Sequence, residues 1–239
     1  MTPLALNLFR QAISEGDTSV ARTVASMTCF DVTAVYDGVV ETAYSLMANS
    51  PPSDIAHGGL LFLPAESVWI EVRTPHLKMY SILYGEPGRI GYSTFHDTTQ
   101  FGRGKVVGCL VVGEDTFAMG ADGSDSPADR VVVIGLSVAA SLLLINAPRG
   151  VIAHTRPPHK GVIREAKASG IYDLRPYHTI HLDKKSGPVG GAGGSAAKKA
   201  FHFCRSHVRH LPGGVTTRVR AHWRGDPALG VCRGDYVVG

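Results

Sequence analysis

Ser67-Val68-Trp69-Ile70-Glu71-Val72-Arg73 alternates Val68, Ile70 and Val72 with Trp69, Glu71 and Arg73. Successive side chains of an extended strand point to opposite faces, so a period of two reads as a strand that gives one face to a core. Similar runs follow at Met79 to Tyr84, Ile90 to Phe95, Lys105 to Gly113 and Asp115 to Met119, divided by turn signals such as Gly85-Glu86-Pro87-Gly88. Short strands joined by tight turns build an antiparallel meander.

Upstream of this stretch the spacing is helical. Leu4, Leu6, Leu8, Phe9 and Ile13 predict a first helix that Gly16-Asp17 ends, with further helices over Ser19 to Met27 and Gly38 to Met47 before Pro51-Pro52. Downstream, Val131 to Ala147 reads VVVIGLSVAASLLLINA, with Ser126-Pro127 as its start signal and Pro148 as its stop. A membrane span needs about twenty apolar residues; this run is shorter and holds Ser137, Ser141 and Asn146, so it predicts a helix buried against the sheet. A polar stretch from His154 to Lys160, a short basic helix from Gly161 to Ser169 and a strand from Tyr177 to Leu182 come next. Ser186 to Gly194 is glycine-rich without the Lys-Ser/Thr ending of a phosphate-cradling loop and reads as a connector. Asp235 to Val238 is a candidate last strand.

The fold class expected is α+β: a helical N-terminal part, an antiparallel sheet with one buried central helix, and a C-terminal basic β-hairpin. The division expected is an α+β core over 1–185, a connector over 186–199 and the hairpin over 200–239, completing or packing on the same domain.

Charge is placed unevenly along the 239 residues. The net charge is +4, but residues 198–239 hold eight Lys or Arg against two Asp, a balance of +6, which leaves −2 for the rest. Cysteines at 29, 109, 204 and 232 form no close pair, so neither a zinc ribbon nor a redox motif is indicated. Nucleotide-binding fingerprints, nucleophile elbows and zinc-protease motifs are absent, and no cofactor is implied. Met1-Thr2-Pro3 does not open a secretory signal, so a cytoplasmic protein with no membrane partner is expected.

The basic tail repeats a pattern: Arg205-Ser206-His207-Val208-Arg209 and Arg220-Ala221-His222-Trp223-Arg224, with Pro212-Gly213-Gly214 between them. With Gly213-Gly214 as a two-residue turn, the cross-strand partners become Arg209 with Arg218, His207 with Arg220, Arg205 with His222 and Phe203 with Arg224. All the cations then share one face, and Val208, Val219, Cys204 and Trp223 share the other. Like charges across a ladder destabilise it, and an anion offsets that cost. Phosphate suits the planar guanidinium fork. Arg205, Arg209, Arg218, Arg220 and Arg224 are therefore the candidate phosphate contacts and nucleic acid the expected partner.

Other readings use the same residues. His207 and His222, flanked by arginines, have the chemistry of a general acid–base pair in a metal-independent phosphodiesterase. His202, Cys204, His210 and Cys232 are spaced too irregularly to indicate a metal site. A basic ribbon also suits an acidic protein surface, as in an inhibitor of a host defence enzyme or a virion component. Elsewhere, His178 and His181 have opposite strand parity and face apart, Glu66 and Glu71 fall on opposite faces and form no carboxylate pair, and His76 and His96 read as loop residues.

Leu144-Ile145-Asn146-Ala147-Pro148-Arg149, the basic connector, His202 to Arg209 and Arg220-Ala221-His222-Trp223-Arg224-Gly225 together resemble an uncharacterised group of phage and prophage proteins carrying a double His/Arg motif. The likeness covers roughly 140–239, with a fainter echo over Leu63 to Glu71. Here Ser206 stands where the motif has glycine and Ala221 where proline is common. The resemblance implies a phage or mobile-element origin and names no reaction.

Overall fold

The computed structural model describes residues 1–40, 61–98, 102–112, 117–121, 128–146 and 151–182, and toward the C-terminus 200–204, 207–210, 216–219, 222–224 and 226–231. Its centre is an eight-stranded sheet. Helices α1 (Pro3–Ser14) and α2 (Thr18–Ser26) lead into β1 (Thr28–Asp31); a 3-10 turn at Thr33–Val35 continues into helical residues 36–40. The meander follows as β2 (Ser67–Arg73), β3 (Leu77–Glu86), β4 (Arg89–Thr98), β5 (Gly102–Val112) and β6 (Phe117–Ala121). Helix α3 (Ala128–Ile145), β7 (Val151–Arg156), α4 (Lys160–Ala168) and β8 (Tyr177–Leu182) complete the core.

The strand order is β6-β5-β4-β3-β2-β1-β8-β7. The meander is antiparallel throughout, as its alternation predicts. The sheet as a whole is mixed where an antiparallel one was expected: β1 runs parallel to both β2 and β8. Strand β1 is four residues long, too short to show a period, and it enters the sheet between elements far apart in sequence. Strand β7 pairs antiparallel with β8 and falls in the stretch read as a polar connector. As an edge strand it is exposed along most of its length, so no apolar alternation marks it. His96 also lies in a strand, β4, and not in a loop.

Helices cover both sheet faces. Val68, Ile70 and Val72 of β2, with Leu83, Tyr92 and Leu110, meet Leu136, Leu142 and Leu143 of α3 in one core. Trp69 and Cys29 meet Phe9 of α1, Val24 of α2 and Val162 of α4 in the other. The alternation in β2 thus separates two cores, and Val68 through Val72 are all buried. Helix α3 is the buried central helix expected. The Ser137 and Ser141 hydroxyls donate to carbonyls four residues back, which lets them enter an apolar layer. No helix among the described residues is long and apolar enough to cross a membrane.

The C-terminal strands form two smaller sheets: β10 (His207–His210) with β11 (Thr216–Val219), and β9 (Ala200–Cys204) between β12 (His222–Arg224) and β13 (Asp226–Val231). The rest of the third predicted helix, the Gly-rich connector and the candidate strand Asp235 to Val238 lie outside the described residues.

Candidate functional site

The predicted basic hairpin exists as an antiparallel pair, but its register differs by one residue. His207 stands opposite Val219, Val208 opposite Arg218, Arg209 opposite Thr217 and His210 opposite Thr216. The second ladder has the same offset: His222 faces Cys204, Trp223 faces Phe203 and Arg224 faces His202. Five residues separate His210 from Thr216, so the pairing centres on Gly213, whereas a Gly213-Gly214 turn leaves two residues in the loop. Hairpins with longer loops are common alternatives to the two-residue turn, and a slip of one residue moves a whole strand's side chains to the other face.

This corrects the single cationic face. Arg209 and Arg218 are not partners: Arg209 stands opposite Thr217 and Arg218 opposite Val208. His207 stands opposite Val219 in the β10–β11 ladder and His222 opposite Cys204 in the β9–β12 ladder. Arg205 and Arg220 lie outside the described residues. Arg209 and Arg224 are exposed, and among the described residues neither has an ion-pair partner.

The core carries a second polar arrangement at the carboxyl ends of the three parallel strands. Thr179 of β8, Asp31 of β1 and Glu71 of β2 are neighbours in register on one face. Glu71 is fully buried. Its carboxylate accepts from Trp69 Nε1 at 3.0 Å, Arg73 Nε at 3.0 Å, and the backbone N–H groups of Leu4 at 3.1 Å and Ala5 at 3.4 Å. Arg73 also reaches Asp31 at 3.2 Å, and Asp31 accepts from Thr33 N. Burial raises the Glu71 pKa above the usual carboxylate range, against the hydrogen bonds that favour its charged form. The cluster closes on itself and anchors α1; it presents no unpaired charge.

Beside it lies a feature that sequence reading missed. In the β7–β8 ladder His154 stands opposite Thr179, Ile152 opposite His181 and Arg156 opposite Tyr177. These residues share one face of the edge. The His154 and His181 ring centroids are 5.2 Å apart at an interplanar angle of 72°, and His181 Nε2 lies 3.2 Å from Thr179 Oγ1. His178 faces the other way, as its parity predicts: it stacks on Phe30 and pairs with Thr155 Oγ1 at 3.1 Å. Partial burial lowers its pKa. A signal for the pair was present in the sequence, since His154 belongs with His181 once Val151 to Arg156 is taken as the partner strand.

Among the described residues no three His, Cys, Asp or Glu side chains come together in a set able to hold a metal ion. An open cleft of about 450 Å³, lined by Arg22, Thr23, Ser26, Tyr172 and Asp173, lies where α2 ends and carries one charge of each sign. None of the protein-family models, curated proteins and solved structures with which the chain was compared matches it.

Proposed function

We propose that this chain is a phage or mobile-element accessory protein that binds a phosphate-bearing partner, nucleic acid, through its basic C-terminal strands. The observation that carries the reading is the balance of +6 over residues 198–239, with Arg209 and Arg224 exposed and without ion-pair partners among the described residues. Two strands side by side can follow a phosphate backbone, and each Arg that takes a phosphate releases counterions, so affinity falls as salt rises. The His/Arg double motif and its phage likeness support the origin.

The test is a fluorescence-anisotropy salt titration with labelled single-stranded and duplex DNA and RNA. Wild type is compared with the Arg209→Glu/Arg224→Glu variant, both sites being exposed so that the fold is preserved. Binding should weaken with a log–log salt slope that is shallower by about 2 in the variant, one contact for each arginine. No binding of any nucleic acid at low salt refutes the reading, and a variant with unchanged slope removes these strands from it.

A further inference from the structure

We propose that the β7–β8 face carrying His154, His181 and Arg156 is a second phosphate-binding site, taking a backbone phosphate of the same nucleic acid; it rests on the nucleic-acid reading above. The three side chains share one sheet face by register. His154 and Arg156 are exposed and His181 is partly so. Among the described residues no carboxylate pairs with any of the three.

The groups that face this trio are few. Tyr177 stands opposite Arg156 and Thr179 opposite His154. Thr179 takes one nitrogen of His181 and leaves both nitrogens of His154 without a hydrogen bond among the described residues. The neighbouring carboxylate on β1, Asp31, is engaged by Arg73 and by Thr33 N, so its charge is already compensated. On the reverse of the edge His178 is committed to Phe30 and Thr155 and takes no part. What remains is a guanidinium and two imidazoles on one face, with no carboxylate paired to them among the described residues.

A tetrahedral phosphate suits such a set of donors. It offers oxygens in several directions, one edge for the arginine fork and others for single imidazole N–H donors, whereas a planar carboxylate is filled by the fork alone. The site lies on an open strand edge, which lets a polymer pass through it. Each imidazole can donate one ring N–H to a phosphate oxygen.

The experiment is NMR of the imidazole rings of the full chain, titrated first with inorganic phosphate and then with a single-stranded oligonucleotide. It is paired with oligonucleotide affinities of wild type, His154→Gln/His181→Gln and Arg209→Glu/Arg224→Glu, each verified as folded by circular dichroism. Expected are phosphate-induced shifts of both rings and displacement of phosphate by the oligonucleotide. The histidine variant should lose about tenfold in oligonucleotide affinity. Oligonucleotide binding that the arginine variant abolishes and the histidine variant leaves intact overturns this site and spares the ribbon reading. Ring shifts with phosphate but no oligonucleotide binding by wild type overturn the nucleic-acid occupant, and with it both proposals.

Discussion

Replacing Glu71 by alanine tests what fastens the N-terminal helix to the sheet. Thr2, the N-cap of α1, makes no side-chain capping bond, and the free N–H groups of Leu4 and Ala5 are taken instead by Glu71 of β2. The same carboxylate satisfies Trp69 Nε1 and Arg73 Nε. Its removal leaves the buried Trp69 Nε1 and Ala5 N–H and the partly buried Leu4 N–H without an acceptor and takes from Arg73 one of its two carboxylates. Breaking such a buried charged contact costs about 3–5 kcal/mol. For a chain of this size, about 2–4 °C per kcal/mol converts that to a fall of about 6–20 °C in Tm, read by circular dichroism. A fall below about 3 °C would refute the cap. Glu71→Gln adds a sign. A carboxyl whose folded pKa is raised contributes stability that is full below its unfolded value and lost as pH rises through the folded one, so the Gln variant's deficit should shrink as pH rises above about 4.3. A deficit that widens with pH would mean that the donors outweigh burial.

Three further outcomes follow from the geometry. A Cβ at Gly91 would stand 2.3 Å from Tyr84 Cε2, so Gly91→Ala should cost about 1–3 kcal/mol by denaturant titration and cost less in a Tyr84→Ala background, a coupling that additive effects would disprove. The lowered pKa of His178 gives stability that is present above about pH 6.5 and lost as pH falls through the folded value; His178→Phe, which keeps a ring against Phe30, should flatten the dependence of Tm on pH over that window. Burial pushes the Cys29 thiol up to about 11, so a thiol reagent at neutral pH should label it only at the rate of unfolding, and rapid labelling in the folded state would contradict its placement.

What the sequence reveals of this fold depends on how many neighbours a segment answers to. The meander is legible because each of β2 to β5 is long and has at least one face fixed by burial, which forces alternation. Helix α3 is legible because its limits are marked and its length excludes a span. Strand β1 is hidden by its four residues, and β7 by its exposure, since an edge strand needs no apolar face. The mixed character of the sheet is therefore invisible, because it resides in β1, whose partners β2 and β8 are remote in sequence.

The site readings divide along the same line. Parity within one strand correctly separates His178 from His181, because it needs only the strand itself. Register between strands needs the loop as well, and Pro212-Gly213-Gly214 admits more than one loop length. The two-residue turn gathers Arg205, His207, Arg209, Arg218, Arg220, His222 and Arg224 on one face; the observed pairing, one residue away, sets His207 opposite Val219 and His222 opposite Cys204. At β7–β8 ladder pairing fixes the register and brings the His154 and His181 ring centroids to 5.2 Å. Charge density alone points to the tail; which charges can act together is decided by register, and a cluster of fewer charges in a fixed ladder is the more specific chemical site.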